Sequence, residues 1–213
     1  MQYPNAYSGV KKIYTSQILT LVALFFMLVG EIGFLGDAYQ NTEEVSATIF
    51  IFMGFVLISG IITLVAFIIN IVGLRNAMKD EILFKKAIIW TIASIIIAVV
   101  SSIMGEESMV ADIIDVFQEL AILLTALYVV QAIINLASKI GSKEMAEQGK
   151  SAFWIILIVS IVSSAFDAVA DFFPDWNPIG ITGSVIGIIA VVLEIFVTFV
   201  YLKLISGAVK MLA

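Results

Sequence analysis

Long apolar runs alternate with short polar connections along the whole chain, and this pattern repeats six times. A helix needs about 20 mostly apolar residues to cross the hydrocarbon of a bilayer. In lipid the backbone must satisfy its own hydrogen bonds, so uninterrupted runs of this length predict helices. The pattern predicts an all-α membrane protein with six transmembrane helices, and the runs are Ile13–Leu35, Ser46–Leu74, Ala87–Gly105, Ile113–Ser138, Ala152–Ala170 and Ile179–Leu202.

The composition supports lipid as the solvent of this chain. Hydrophobic residues make up 62% of the 213 residues and charged residues only 13%. A soluble domain has about half apolar and about a quarter charged residues. We therefore expect residues 1–213 to form a single polytopic domain embedded in a bilayer, with lipid as its first partner and no nucleic acid among its partners.

The charged residues are divided between the two ends of the predicted helices. All 11 basic residues lie in alternate connections or at the chain termini, and they are Lys11, Lys12, Arg75, Lys79, Lys85, Lys86, Lys139, Lys143, Lys150, Lys203 and Lys210. Because basic residues concentrate on the cytoplasmic side of membrane proteins, both termini are predicted to be cytoplasmic. We expect a multi-pass protein of the plasma membrane, of prokaryotic type, whose first span stays in the chain as a signal anchor.

Two related segments indicate an internal repeat. IINIVGLRNAMKDEILFKKA begins at Ile68 and IINLASKIGSKEMAEQGKSA begins at Ile133, and the same shift aligns Asn70 with Asn135. The chain then consists of three two-helix hairpins of the same orientation, which predicts a pseudo-threefold axis normal to the membrane. The repeats are 9–76, 83–141 and 148–207. The polar linkers between repeats are expected to form short helices on the cytoplasmic surface.

One carboxylate, Glu194, stands in the middle of the last apolar run, VVLEIFVTF. A charged side chain at the centre of a membrane helix costs about 2.5–3.5 kcal/mol on insertion scales. Steps of three and four residues place Glu194 on one face with small and polar residues, so we expect it to point into the bundle. The members of this stripe are Gly180, Gly183, Gly187, Ala190, Glu194, Thr198 and Tyr201.

The repeat places Thr63 and Tyr128 at the depth of Glu194, with Gln131 about one turn away. Together these residues form a hypothetical binding site for a proton, a cation or a cationic small molecule. The alternative is a structural Glu194, hydrogen-bonded inside the bundle, that fixes the register of the helices.

The acidic residues gather opposite the basic ones and predict an acidic outer rim. Such a rim concentrates cations, as acidic rings do at cation pores, and Glu119 and Asp167 are its candidates for contact with a solute. The alternative is a solvated surface left over when Lys and Arg are kept on the other side. The rim consists of Glu31, Asp37, Glu43, Glu44, Glu106, Glu107, Asp112, Asp115, Glu119, Asp167, Asp171 and Asp175.

The chain has no Cys and no His, and it has no phosphate-binding loop, nucleophile elbow, zinc-protease or dinucleotide motif. We therefore expect neither an enzyme nor a bound cofactor or metal. Two functions agree with the sequence. The first is a transport or channel-type protein for a cation, a proton or a cationic small molecule. The alternative is a non-catalytic membrane partner, such as a complex subunit, an assembly factor or an immunity-type protein, that docks through its acidic outer face. A protein partner or a second copy of the chain is a further expected partner.

Overall fold

The chain folds into six long helices in a computed structural model that describes residues 2–40, 47–104, 109–172 and 181–213. Side chains are described at 2–30, 32–33, 50–101, 103, 113–114, 116–163 and 188–213. The helices are α1 (Pro4–Gln40), α2 (Ala47–Ala77), α3 (Leu83–Met104), α4 (Met109–Ile140), α5 (Lys143–Phe172) and α6 (Ile181–Leu212). All six are long and apolar enough to cross a membrane, which confirms the prediction of a six-helix membrane protein.

Each helix packs against the next one in the chain, and α1 packs against α6, so the helices form a closed ring. Successive helices run antiparallel. Gly9 near the start of α1 faces Gly73 near the end of α2, for example, and Gly149 near the start of α5 faces Ile134 near the end of α4. The contact between α2 and α3 is the loosest in the ring. The threefold repeat stays a prediction.

The helices extend well beyond the apolar runs at the end of the ring where the basic residues lie, here called the basic end. α1 begins at Pro4, whose missing N–H costs nothing in a first helical turn. α5 begins at Lys143. The expectation of separate surface helices was wrong, because the linker residues continue the spanning helices. Between α2 and α3 only residues 78–82 remain, here called the 78–82 connection.

Helix α4 ends in a turn that returns the chain directly into α5. Gly141 has a φ of 83°, a conformation that favours glycine. Its N–H donates to the carbonyl of Ser138, and the N–H of Ser142 donates to that of Ala137. This pair of bonds is the Schellman motif, which satisfies the last carbonyls of a helix. It allows α4 and α5 to pack side by side from the turn onward.

The buried core lies at the basic end, and α4 runs through its centre. Half of the α4 span is buried, compared with 28% or less in each of the other spans. The α4 residues in the core include Val129, Ile133 and Leu136, each 1% exposed or less. Ile13 of α1, Leu74 of α2, Phe84 of α3, Ile156 of α5 and Ile205 of α6 belong to the same cluster.

Two glycines bring α1 and α2 into direct backbone contact next to this core. A Cβ atom added at Gly9 would lie 2.5 Å from the carbonyl oxygen of Gly73, and one added at Gly73 would lie 2.8 Å from that of Gly9. Only hydrogen fits at both positions, which is how small residues let membrane helices approach closely. The first hairpin is therefore fixed at the same end as the core.

Candidate cation-binding site

Glu194 lies on the inward face of α6 and is nevertheless covered less than its neighbours on that face. Val191, Thr198 and Tyr201 share its face at helical spacing, and each is 7% exposed or less. Glu194 itself is classed as exposed. No hydrogen bond or ion pair connects it to any of the residues that the structure describes. The described residues thus leave this carboxylate without a partner of its own chain.

Thr63 of α2 shows the same combination of an inward position and an accessible side chain. Its neighbours on the face, Ser59 and Ala66, are 7% and 2% exposed, whereas Thr63 is exposed. Two turns towards the basic end lies Asn70, whose Oδ1 atom is buried and accepts no hydrogen bond from any described residue. The inward face of α2 therefore carries an accessible hydroxyl group and, deeper, an unpaired acceptor.

The same change from accessible to buried occurs along α4. Ile122, Val129 and Ile133 share one face of this helix, with 54%, 1% and 0% of their surfaces exposed. Seven residues correspond to two turns, or about 10 Å along the helix. On α2, α4 and α6 alike, residues further from the basic end are covered less by the rest of the chain. Three of these less covered residues, Thr63, Ile122 and Glu194, define what is called the opening below.

Tyr128 and Gln131 have described contacts of their own on α4. Tyr128 packs against the core, and Gln131 lies on the side of α4 away from Val129 and Ile133. The ammonium group of Lys86 lies 5.6 Å from the centre of the Tyr128 ring, at a distance typical of a cation–π contact. The amide of Gln131 donates to Asn135 within α4, at 3.4 Å.

The two remaining predicted site residues lie towards the end of the bundle opposite the basic end, here called the acidic end. Glu119 is exposed on α4, three residues before Ile122. Asp167 lies in α5, but its side chain lies outside the described part of the chain. All other members of the predicted acidic rim are likewise outside the described side chains. Within those that are described, no group of three acidic side chains could hold a metal ion.

Sequence reasoning missed two acidic residues at the basic end. In the 78–82 connection, Asp80 accepts hydrogen bonds from the backbone N–H of Ala6 at 2.7 Å and from the Asn5 amide at 3.0 Å. The next residue, Glu81, is 4% exposed and pairs with Lys139 at 2.5 Å. Both residues stand in the lysine-rich segment MKDEILFKK, where the basic residues dominate the pattern. The only sequence feature that could have indicated these contacts is the presence of two adjacent acids among the lysines.

Comparison of the chain with protein-family models, with curated proteins and with solved structures finds no match.

Proposed function

We propose that this protein is a small membrane transport protein for a cation, a proton or a cationic small molecule, and that Glu194 binds the solute in the opening. The observation that carries the proposal is the accessible, unpartnered carboxylate of Glu194 on an inward face that is otherwise buried. A carboxylate inside an apolar span is costly, so such residues usually line a path or pair with a charge.

The charges around the opening favour a positively charged solute. The first basic residue after Glu194 on its helix is Lys203, nine residues or about 13 Å towards the basic end. No cation of the described part of the chain forms an ion pair with Glu194. A cationic solute therefore meets a carboxylate without a described counter-charge, and the Thr63 hydroxyl of α2 is a further oxygen in the opening.

The ligand set favours a proton, a monovalent ion or an organic ammonium ion over a divalent metal. Ca²⁺ takes six to eight oxygen ligands, and Mg²⁺ requires a nearly octahedral set. Among the described side chains no three acids are grouped, and apolar residues such as Ile122 are exposed on the inward faces. An organic cation gains from such walls, because its apolar part is removed from water when it binds. This function requires neither a catalytic group nor a cofactor.

Flux into liposomes tests the proposal directly. Purified protein is reconstituted, and uptake of protons, K⁺ and a fluorescent organic ammonium ion is measured for the wild type and for Glu194→Gln. We expect the flux of at least one probe to fall about tenfold or more, the change that about 1.4 kcal/mol of lost interaction produces. Glu147→Gln is the matched control, since Glu147 is an exposed acid at the basic end whose ion pair, among the described residues, is with Lys150.

Two results would count against transport. Equal flux in the wild type and Glu194→Gln would remove Glu194 from the mechanism. No flux of any probe above that of empty liposomes would favour the alternative, a membrane partner protein that docks through its acidic end.

A further inference from the structure

The 78–82 connection joins α2 and α3, the two neighbouring helices of the ring that pack most loosely. The boundary between these two helices is called the α2–α3 seam. Residues of α2 and α3 make few contacts with each other compared with the other neighbouring pairs. The connection instead forms polar contacts with α1 and α4, on either side of the α2–α3 seam. The basic end of the seam is thus held by the connection as well as by side-chain packing.

The first of these contacts joins the connection to the start of α1. The Asp80 carboxylate accepts one hydrogen bond from the backbone N–H of Ala6 and another from the Asn5 side chain. The first N–H groups of a helix have no partner within the helix, and a carboxylate placed there also interacts favourably with the helix dipole. Asp80 therefore serves as the cap of a helix that begins more than 70 residues earlier in the chain.

The second contact joins the connection to the end of α4. The side chain of Glu81 is 3% exposed, whereas that of its partner Lys139 is 48% exposed. An ion pair that is open to water on one side contributes less than a fully buried pair. A buried carboxylate without its partner is unfavourable, however, so loss of Lys139 would destabilise Glu81 in its buried position. The ion pair therefore links the position of the connection to that of the end of α4.

The helices held by these two contacts are those that close the basic end. Ala6 belongs to the core at 0% exposure, and Ala137, two residues before Lys139, is also fully buried. Phe84 follows the connection and has no exposed surface. Movement of the connection would displace Phe84 and free the starts of α1 and α3 from the end of α4.

We infer that the 78–82 connection is the latch of a gate at the basic end, held closed by the Asp80 contact with the start of α1 and the Glu81–Lys139 pair. This inference rests on the proposed transport function. A solute that enters the opening next to Glu194 must leave past the core, and release of the latch separates the helices there. The closed latch then corresponds to a protein open only towards its acidic end.

Labelling of single cysteines tests the latch without any transported solute. The chain has no Cys, so each introduced thiol is the only one present. Ala137→Cys places a small reporter in the closed core, and Ala23→Cys, at a position 2% exposed on the side of α1 that faces α2, reports on the fold as a whole. Both are labelled with a membrane-impermeant thiol reagent in lipid nanodiscs, with and without Asp80→Asn and Glu81→Gln together.

We expect Ala137→Cys to be labelled several-fold faster when the latch is removed, while Ala23→Cys stays protected. The double variant Glu144→Gln, Glu147→Gln is the matched control, because it removes two exposed acids from the same end. A further test exchanges the two charges of the pair in a protein that keeps Asp80. Ala137→Cys is expected to be labelled more slowly with Glu81→Lys and Lys139→Glu together than with Glu81→Lys alone.

Unchanged labelling of Ala137→Cys in the latch variant would overturn the inference. Equal acceleration at Ala137→Cys and Ala23→Cys would also overturn it, because the contacts would then stabilise the whole fold instead of a gate. Neither outcome depends on Glu194. A failure of the latch is therefore distinguishable from a failure of the flux experiment with Glu194→Gln.

Discussion

The two halves of the inward face of α4 have similar side chains and opposite environments. Ile122 is 54% exposed, and Ile133 on the same face is fully buried. Hydrophobicity cannot be the cause, since both residues are isoleucine. The difference is the amount of chain that surrounds them. At the basic end, helix extensions such as Pro4–Val10 and Lys143–Ala152 add buried residues, including Ala6, Val10, Met145 and Ala146, that the apolar spans alone do not provide.

The comparison teaches that helical turns outside the apolar runs add to the closed end of this bundle, next to core residues such as Ile133 and Ile156 that lie within the runs. At the basic end the additional turns contribute Ala6, Val10, Met145 and Ala146 to the cluster that includes Val129 and Ile133 of α4. The residues that close the basic end are thus different from the residues that define the opening. Variants can therefore change one without changing the other.

The largest contrast is expected in the accessibility of neighbouring positions on one face. Glu194→Cys and Thr63→Cys should react quickly with a small water-soluble thiol reagent, whereas Thr198→Cys and Ala66→Cys should react slowly. The latter two positions are 6% and 2% exposed. Mass spectrometry after timed labelling gives the four rates, and equal rates within each pair would show that the helices do not separate at the opening.

The next contrast concerns stability. Ile133→Ala should lower the free energy of unfolding by about 2–5 kcal/mol, because it removes packed side-chain volume from the core. Ile122→Ala, the same change on the same face, should alter it by less than about 1 kcal/mol. Reversible unfolding in mixed detergent–lipid micelles measures both values. Similar losses at the two positions would contradict the difference in packing.

A smaller effect is expected where α1 and α2 touch. Gly9→Ala should destabilise the protein by about 1–3 kcal/mol, because the new methyl group overlaps the Gly73 carbonyl. Gly60→Ala has open space around it and should stabilise the helix by up to about 1 kcal/mol. Opposite signs in the same unfolding assay support the close contact, and equal signs would refute it.

The smallest effect is expected at the surface of the basic end. Glu147→Gln breaks the ion pair with Lys150, whose side chains are 71% and 60% exposed. Exposed pairs of this kind contribute about 1 kcal/mol or less, and salt weakens them further. The unfolding free energy should therefore hardly change, whereas a large loss would mean that this pair also belongs to the closed end.

The sequence was sufficient for the number of helices, because each span is a long apolar run bounded by charged residues. It was insufficient for their ends. The segment KEMAEQGK at the start of α5 has few apolar residues, so a search for apolar runs stops at Ala152, nine residues after the helix begins. Helical turns outside the hydrocarbon need only one buried face, which hydropathy alone does not detect.

The candidate site, too, could be predicted only in part from the sequence. Helical spacing placed Glu194 on the same face as Thr198 and Tyr201, and these three residues share a face in the structure. The contacts of Tyr128 with Lys86 and of Gln131 with Asn135 were not predicted, because periodicity separates the faces of one helix without showing which neighbour each face meets. The roles of Asp80 and Glu81 depend on residues far away in the chain, so no local pattern could reveal them.

The distant cap on α1 also bears on how the protein is made. The N–H of Ala6 is bonded by a carboxylate that is synthesised 74 residues later, at Asp80. During translation the first helical turn must therefore stay open to water, or find another acceptor, until both spans of the first hairpin have been made. The beginning of the chain then reaches its final conformation only after α2 has returned to the surface from which α1 departed.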